Sequence, residues 1–321
     1  MRFAQQGRMV LPGALAALLF VATVGSFLGA WSWRLDLLSH FRPQLVVFGM
    51  VCSAVAIVLR SRIALVLSLV LTVVNAVPLA PYVSGAQAEG NRGADAHDRI
   101  RVMTFNMHGT NTDLAALRRL IDREGPDVIL LEEAPSGADF LQKLEERYPY
   151  RVAEHEGIPL DVVFISRWKP LTWSVDRSVA RFRSVLAARL CDPDTAMRCL
   201  TFIGLHADQP FDEGARRQQS QLAIAARHIL AAPDDAVLVM GDLNMTPWSN
   251  TFRSFVDQTG LYDTTRSRGI SGTWNSSSPL FGLPIDHILI GAGLQVVRIR
   301  TAEDLGSDHL PLIAELAFKA R

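Results

Sequence analysis

Residues 126–133 read Pro126-Asp127-Val128-Ile129-Leu130-Leu131-Glu132-Glu133. The apolar run Val128 to Leu131 fits a short strand covered on both faces, and the two carboxylates then fall at its end. Three more stretches repeat the design, an apolar run that stops at polar side chains: Thr104-Phe105-Asn106, Gly241-Asp242-Leu243-Asn244 and Gly306-Ser307-Asp308-His309. All four are expected to converge at one edge of a β core.

Outward from these anchors, strand and helix patterns alternate. Residues 99–107 alternate polar and apolar side chains, and Leu114, Leu117, Leu120 and Ile121 recur at helical spacing. Further strands are predicted at 161–166, 184–191, 198–205, 236–240, 285–290, 295–300 and 311–318, with helices at 138–147, 213–230 and 249–258. About nine strands and four helices, joined by hairpins as well as crossovers, predict an α/β fold: a four-layer sandwich of two packed mixed sheets flanked by helices.

The first quarter of the chain is of another kind. Residues 9–33, 43–59 and 63–88 carry no Asp, Glu, Lys or Arg, and about 20 apolar residues suffice to cross a bilayer. The expected order is three transmembrane helices (9–33, 43–60 and 62–82), a linker over 83–98 and a soluble domain over 99–321. For the first segment the alternative is a cleaved signal peptide. For the second, with only 17 uncharged residues, it is a re-entrant or tilted segment. Arg2, Arg8, Arg60 and Arg62 favour an inside N-terminus. Three spans then leave everything beyond residue 83 outside, and so does cleavage of the first. The expected location is a bacterial inner membrane, with the domain on its periplasmic or extracellular side and the lipid bilayer as a partner.

Cys52 lies in the second span, where a thiol behaves as a small hydrophobe. Cys191 and Cys199 bracket a turn-forming segment, Asp192 to Arg198, and are expected to face each other across a hairpin. A disulfide there implies an oxidising compartment; the alternative is two unrelated free thiols. The chain is neutral, but residues 98–321 hold 25 basic and 29 acidic residues. A net of −4 does not advertise a nucleic-acid partner. A local basic rim or a bound cation reverses that field at a site.

Phosphate ester cleavage needs a cation to neutralise phosphoryl oxygens, an activated water and an acid for the leaving oxygen. Glu133 is a hard oxygen ligand suited to Mg²⁺, with Mn²⁺ or Ca²⁺ as alternatives, and no Cys/His cluster suggests zinc. In their order along residues 99–320 the motifs resemble the endonuclease/exonuclease/phosphatase superfamily, which includes pancreatic-type deoxyribonucleases, abasic-site endonucleases, neutral sphingomyelinases and inositol polyphosphate 5-phosphatases. The resemblance implies that Asn106, Glu133 and Asp308 hold or order the metal, with Glu133 the principal ligand. It implies that His206, in Leu205-His206-Ala207-Asp208, contacts phosphate or acts as general acid. Asp242 would position or deprotonate water, and Asn244 would hold a phosphate oxygen. Asp286, in Ile285-Asp286-His287, would orient His309, whose role as base or phosphate ligand stays open.

The sequence departs from the family pattern at three positions. Glu132 stands where Gln is usual, His108 where the abasic-endonuclease branch has Asp, and Pro284 where Arg is common. The last two argue against a DNA-repair role. The expected activity is a membrane-anchored, metal-dependent phosphodiesterase acting by in-line attack of water on a nucleic acid or a phospholipid head group, with no obligate protein partner. Arg181, Phe182, Arg183, Trp248 and Trp274 are the residues a nuclease would use to grip its substrate. The alternative is a catalytically silent membrane-tethered binding module.

Overall fold

The structure, a computed structural model, describes residues 2–83, 98–109, 112–135, 144, 147–155, 158–180, 183–194, 198–275, 277–278 and 281–319. The predicted helix at 138–147, apart from Leu144 and Arg147, and nearly all of the predicted linker therefore lie outside the described residues. The chain divides into two compact units, one of residues 1–84 with 248–253, the other of 85–247 with 254–321.

The first unit holds α1 (Arg2–Phe27), α2 (Trp33–His40), α3 (Arg42–Val58), α4 (Arg62–Ala76) and α5 (Ala80–Val83). Val10–Phe27 and Arg62–Val83 are long and apolar enough to cross a membrane, with mean hydropathies of 2.0 and 2.4. The bent pair α2 and α3 passes only if both helices, 67° apart, make one span. Two or three candidate spans thus stand where the sequence predicts three. The first predicted span is cut short at Phe27, because Ser32 caps a new helix by accepting the Arg34 amide at 3.3 Å.

Asp36, the sole acidic residue among the first 88, is buried in this unit. It accepts the amides of Asn250 (2.8 Å) and Thr251 (3.0 Å) and the hydroxyls of Ser39 and Thr251 (2.8 Å each). A desolvated carboxylate is tolerated only with such a set of donors. Trp248, expected as a substrate-side aromatic, is instead 1% exposed. Its Nε1 donates to the His40 carbonyl at 3.0 Å, and its ring meets Tyr82 edge-on at 5.8 Å.

The second unit is the predicted sandwich. One sheet runs β11 (Leu294–Thr301), β12 (Leu312–Phe318), β1 (Arg99–Asn106), β2 (Val128–Glu132), β4 (Ile158–Ser166), β3 (Tyr150–His155). The other runs β5 (Lys169–Ala180), β6 (Arg183–Cys191), β7 (Cys199–Leu205), β8 (Val237–Asp242), β10 (Asp286–Ile290), β9 (Tyr262–Asp263). Each contains a parallel pair, β1 with β2 and β7 with β8, flanked by an antiparallel neighbour, β12 and β10 respectively. The C-terminal ends of the parallel strands therefore lie beside the N-terminal ends of β12 and β10, and every predicted anchor sits at one of those ends.

Period-two alternation explains the layers. Ile100, Val102, Leu130, Phe164, Phe202 and Leu238 pack between the sheets, while Met103, Phe105, Ile129 and Leu131 point the other way, against Leu117, Leu120 and Ile121 of α6 (Leu114–Glu124). Asp113 caps α6 by accepting the Ala115 and Ala116 amides (2.9 and 3.0 Å), and left-handed Gly125 (φ +56°) ends it just before Pro126. The remaining helices are α7 (Asp212–Leu230), α8 (Asn250–Thr259) and α9 (Thr265–Arg268).

Twelve strands among the described residues replace the nine predicted. The missed ones are β3, β5 and β9, all at or beside a sheet edge, and β5 has no fully buried residue to give it an apolar period. Cys191 and Cys199 lie directly opposite in the β6–β7 register and form a disulfide; Cys52 is free. Denatured without reductant, the protein should show one reactive thiol, and three after reduction. Reduction should lower stability by about 2–3 kcal/mol, the expectation for so short a loop, read as a fall in Tm. Three thiols without reductant would mean an unbridged hairpin.

Candidate active site

Asn106 ends β1 and ties the two sheets together: its Nδ2 donates to Glu133 Oε1 (3.2 Å) and to Asp242 Oδ2 (3.1 Å), while its Oδ1 accepts the His108 amide (3.0 Å). Glu133 follows β2 in a left-handed conformation (φ +51°) that turns its side chain, 40% exposed, toward the strand ends. Its backbone is fixed on both sides, its amide donating to Asp161 O (3.1 Å) and its carbonyl accepting Gly109 N (3.0 Å). At Gly241 a Cβ would collide with the Leu205 carbonyl, so glycine lets β8 pass close to β7 just before Asp242. Asp242 Oδ1 accepts the amide of Asn244, another left-handed residue (φ +52°), whose Nδ2 donates to the Ala207 carbonyl (2.8 and 2.9 Å).

His206 and His309 sit in different electrostatic surroundings. His206 is 2% exposed, with Nε2 3.7 Å from both Glu133 Oε1 and Asp242 Oδ2. Arg183 Nη1 lies 2.6 Å from His206 Nδ1. The same Nη1 lies 3.2 Å from Nε2; a guanidinium can only donate, so the nearer nitrogen, Nδ1, is taken as the acceptor and the ring proton falls to Nε2, on the side of the carboxylates. Burial, the Arg183 charge and the His309 charge hold His206 well below the ordinary histidine range. His309 Nδ1 donates instead to Asp286 Oδ2 (2.9 Å), and its Nε2 lies 3.8 Å from Asp242 Oδ2. Burial opposes its charge, but Asp286, with Asp242 and Asp308, more than offsets this and raises it to about 10. His309 is the cation of the site.

The carboxyls respond accordingly. Burial and the neighbouring Asp286 push Asp242 upward, whereas Asp286, equally buried, is drawn below its usual range by His309 and by hydrogen bonding. Asp286 is further oriented by Thr273, whose hydroxyl accepts its backbone amide at 3.1 Å. Ser307 donates to the Asn106 carbonyl (2.8 Å) and accepts the His309 amide (3.1 Å), locking the C-terminal anchor to β1.

Eight predicted residues are thus distributed as follows. Asn106, Glu133, His206, Asp242, Asn244, Asp286 and His309 form one hydrogen-bonded or closely packed set. Asp308 stands at its mouth, bound by His108 Nδ1 on Oδ1 and by Trp274 Nε1 on Oδ2, each at 2.9 Å. Glu132 points away from that mouth. It is fully buried, accepts the Thr104 hydroxyl at 2.7 Å, and burial pushes it well above the carboxylate range. Sequence gives no role to the partners Asp161, Thr104 and Thr273, because each is distant along the chain from the group it serves and shares no motif with it. Sequence marks Arg183 only as a substrate contact of a nuclease, not as the partner of His206; Arg181 and Phe182 lie outside the described residues.

The donor set fits a divalent cation. Glu133 and Asp308 offer partly exposed hard oxygens, and, among the described residues, one oxygen each of Asp242 and Asp286 and a nitrogen of His309 lie within 4.8 Å of one another.

The sequence model of one family, described as the Endonuclease/Exonuclease/phosphatase family, matches residues 103–309. Among solved structures, a family member from Beutenbergia cavernae is 22% identical, with a TM-score of 0.56 over 69% of this chain and 72% of that one. The human Nocturnin catalytic domain with bound sulfate is 18% identical, with a TM-score of 0.55 over 69% and 95%. A mannosyl-6-phosphatase of Bacteroides thetaiotaomicron is 15% identical, with a TM-score of 0.53 over 68% and 100%. At these identities the likeness is one of fold. No curated protein matches the chain.

The Asp286–His309 pair makes a pH prediction. A histidine raised from 6.5 to about 10 stabilises the fold fully below pH 6.5 and loses that contribution as pH rises through 10. Without added metal, Tm should fall across that window, and Asp286→Asn should both flatten the fall and lower the His309 midpoint in an NMR titration. A wild-type midpoint near 6.5 would remove the ion pair from the account.

Proposed function

The chain belongs to the endonuclease/exonuclease/phosphatase family, whose members hydrolyse phosphoesters, and on that premise we propose that it is a membrane-anchored, metal-dependent phosphodiesterase. The observation that carries the reading is Asn106, one amide bonded to Glu133 at the end of one sheet and to Asp242 at the end of the other. That bond fixes a carboxylate for the cation beside a carboxylate for the water.

Glu133 and Asp308, with Asn106 ordering the first, would hold a cation of the Mg²⁺ type. When bound, the cation would offset charge on the phosphoryl oxygens. Asp242, with its raised proton affinity, is the better-placed general base and takes the proton of the attacking water. His309, kept protonated by Asp286, faces the phosphoryl group as a fixed cation. As the P–O bond breaks, neutral His206 donates its Nε2–H as a hydrogen bond to the leaving oxygen, which takes its proton from solvent, and Asn244 steadies a non-bridging oxygen.

Residues 1–82 would serve as the anchor and 99–321 as the catalytic domain, on the outer side of a bacterial inner membrane. The flanking arginines and the Cys191–Cys199 disulfide support that side. For the substrate, a phospholipid head group is favoured over nucleic acid. Of the three described residues expected to grip a polynucleotide, Trp248 is buried, Arg183 is bonded to His206 and Trp274 to Asp308.

Full-length protein in detergent should hydrolyse a chromogenic phosphodiester with Mg²⁺ and lose that activity to a chelator. Glu133→Ala and His309→Ala should each reduce turnover at least ~10²-fold. Unchanged turnover in either would sink the assignment, and inactivity of the wild type on phospholipids, DNA and RNA alike would favour a silent binding module. In a separate measurement, a C-terminal reporter active only in the cytoplasm should stay dark; a signal there would reverse the orientation.

A further inference from the structure

Only Met245, Thr246 and Pro247 separate Asn244 from Trp248, and Trp248 opens the stretch 248–253 that packs as part of the apolar unit. We propose that Asp36, on α2 of that unit, is a positioning residue for Asn244, so that the first unit helps to build the hydrolytic site as well as tethering it. This rests on the function proposed above and adds to it a residue that never touches substrate.

The need arises at the start of α8. The first amides of a helix have no partner inside it and must find acceptors elsewhere. Ser249 Oγ accepts the amide of Phe252 at 3.2 Å. Those of Asn250 and Thr251 go to Asp36, one to each carboxylate oxygen, at 2.8 and 3.0 Å. Thr251 Oγ1 and Asn250 Nδ2 donate to the same two oxygens at 2.8 and 3.2 Å. A carboxylate is the acceptor that a helix N-terminus favours, and it is normally carried by the chain just ahead of the helix. Here it is carried by α2, so the apolar unit sets the seat of α8.

Two further features tighten that seat. Trp248 Nε1 donates to the His40 carbonyl at 3.0 Å. At Gly29 an added Cβ would lie 2.2 Å from Asn250 Nδ2 and 2.7 Å from Asp36 Oδ1, so the approach leaves no room for a side chain.

The link from this seat back to Asn244 is short and stiff. Residues 245–249 are all buried, and Pro247 fixes its own φ while restricting Thr246. Upstream, His287 Nε2 donates to the Met245 carbonyl at 2.7 Å and Gln218 Nε2 to the Leu243 carbonyl at 3.0 Å. Asn244 is left-handed (φ +52°), a conformation that persists only where its surroundings impose it. Asp36 holds the downstream end of that imposition. Without it the segment relaxes and the Asn244 amide turns from its place.

The test assays the full chain in detergent on the chromogenic phosphodiester with Mg²⁺ and follows amide exchange over residues 243–251. Asp36→Asn keeps the size of the side chain but sets an NH₂ group against a backbone donor. It should lower kcat at least ~10-fold with KM little changed, and speed exchange in that segment. In an Asn244→Gly background, which keeps the left-handed backbone, the same change should cost less than about twofold, because the side chain it acts through is gone. Trp248→Phe keeps an aromatic ring and loses the bond to His40; it should lower kcat about threefold and decides the matter if Asp36→Asn does not fold. Unchanged kcat in the deciding variant, or an equally large loss in the Asn244→Gly background, overturns the inference and leaves the proposed function standing. A wild type that cleaves no phosphodiester removes that function and the inference with it.

Discussion

Burying Glu132, Asp242 and Asp286 behind one set of strand ends would be prohibitive without compensation, since each ionised carboxylate taken from water costs several kcal/mol. The protein resolves this unevenly. Asp286 stays ionised because His309 carries its counter-charge, Asp242 is left with a raised proton affinity, and burial drives Glu132 well above the usual carboxylate range. The rest of the site follows from that division. Asn106 and Asn244 point amide hydrogens where negative charge collects, and His206 is kept neutral by burial and by Arg183, so that it does not compete with His309 for the same carboxylates.

What the sequence made legible was the pattern of strand ends. An apolar run that stops at Asn106, Glu133, His206 or Asp242 announces both a buried strand and the position of its final side chain, and the mixed topology then gathers those ends on one side. Edge elements were illegible for the converse reason. In β5 no side chain is fully buried, so no apolar period marks it, although its register with β6 is clear in space. Partner identities were equally hidden. Thr104 serves Glu132 and Thr273 serves Asp286 across distances of 28 and 13 residues, and nothing in a threonine's neighbours reveals what its hydroxyl will meet.

Trp248 shows how a composition argument goes astray. An aromatic residue four positions past Asn244, a candidate phosphate contact, is a reasonable substrate contact on sequence grounds. Its ring is instead enclosed by Tyr82 and Leu79, and its indole proton is given to the His40 carbonyl. Aromatic residues with a polar tip are buried whenever that tip finds an acceptor, and only the fold tells which ones do.

The position of β12 carries a consequence for biosynthesis. It is the last strand in chain order, yet it sits inside its sheet, between β11 and β1, and the residues just ahead of it are Asp308 and His309. A nascent chain halted before this strand holds one exposed edge on β1 and no cationic partner for Asp286. The strand that fills the middle of this sheet and the cation that balances Asp286 are thus carried by one short segment of chain.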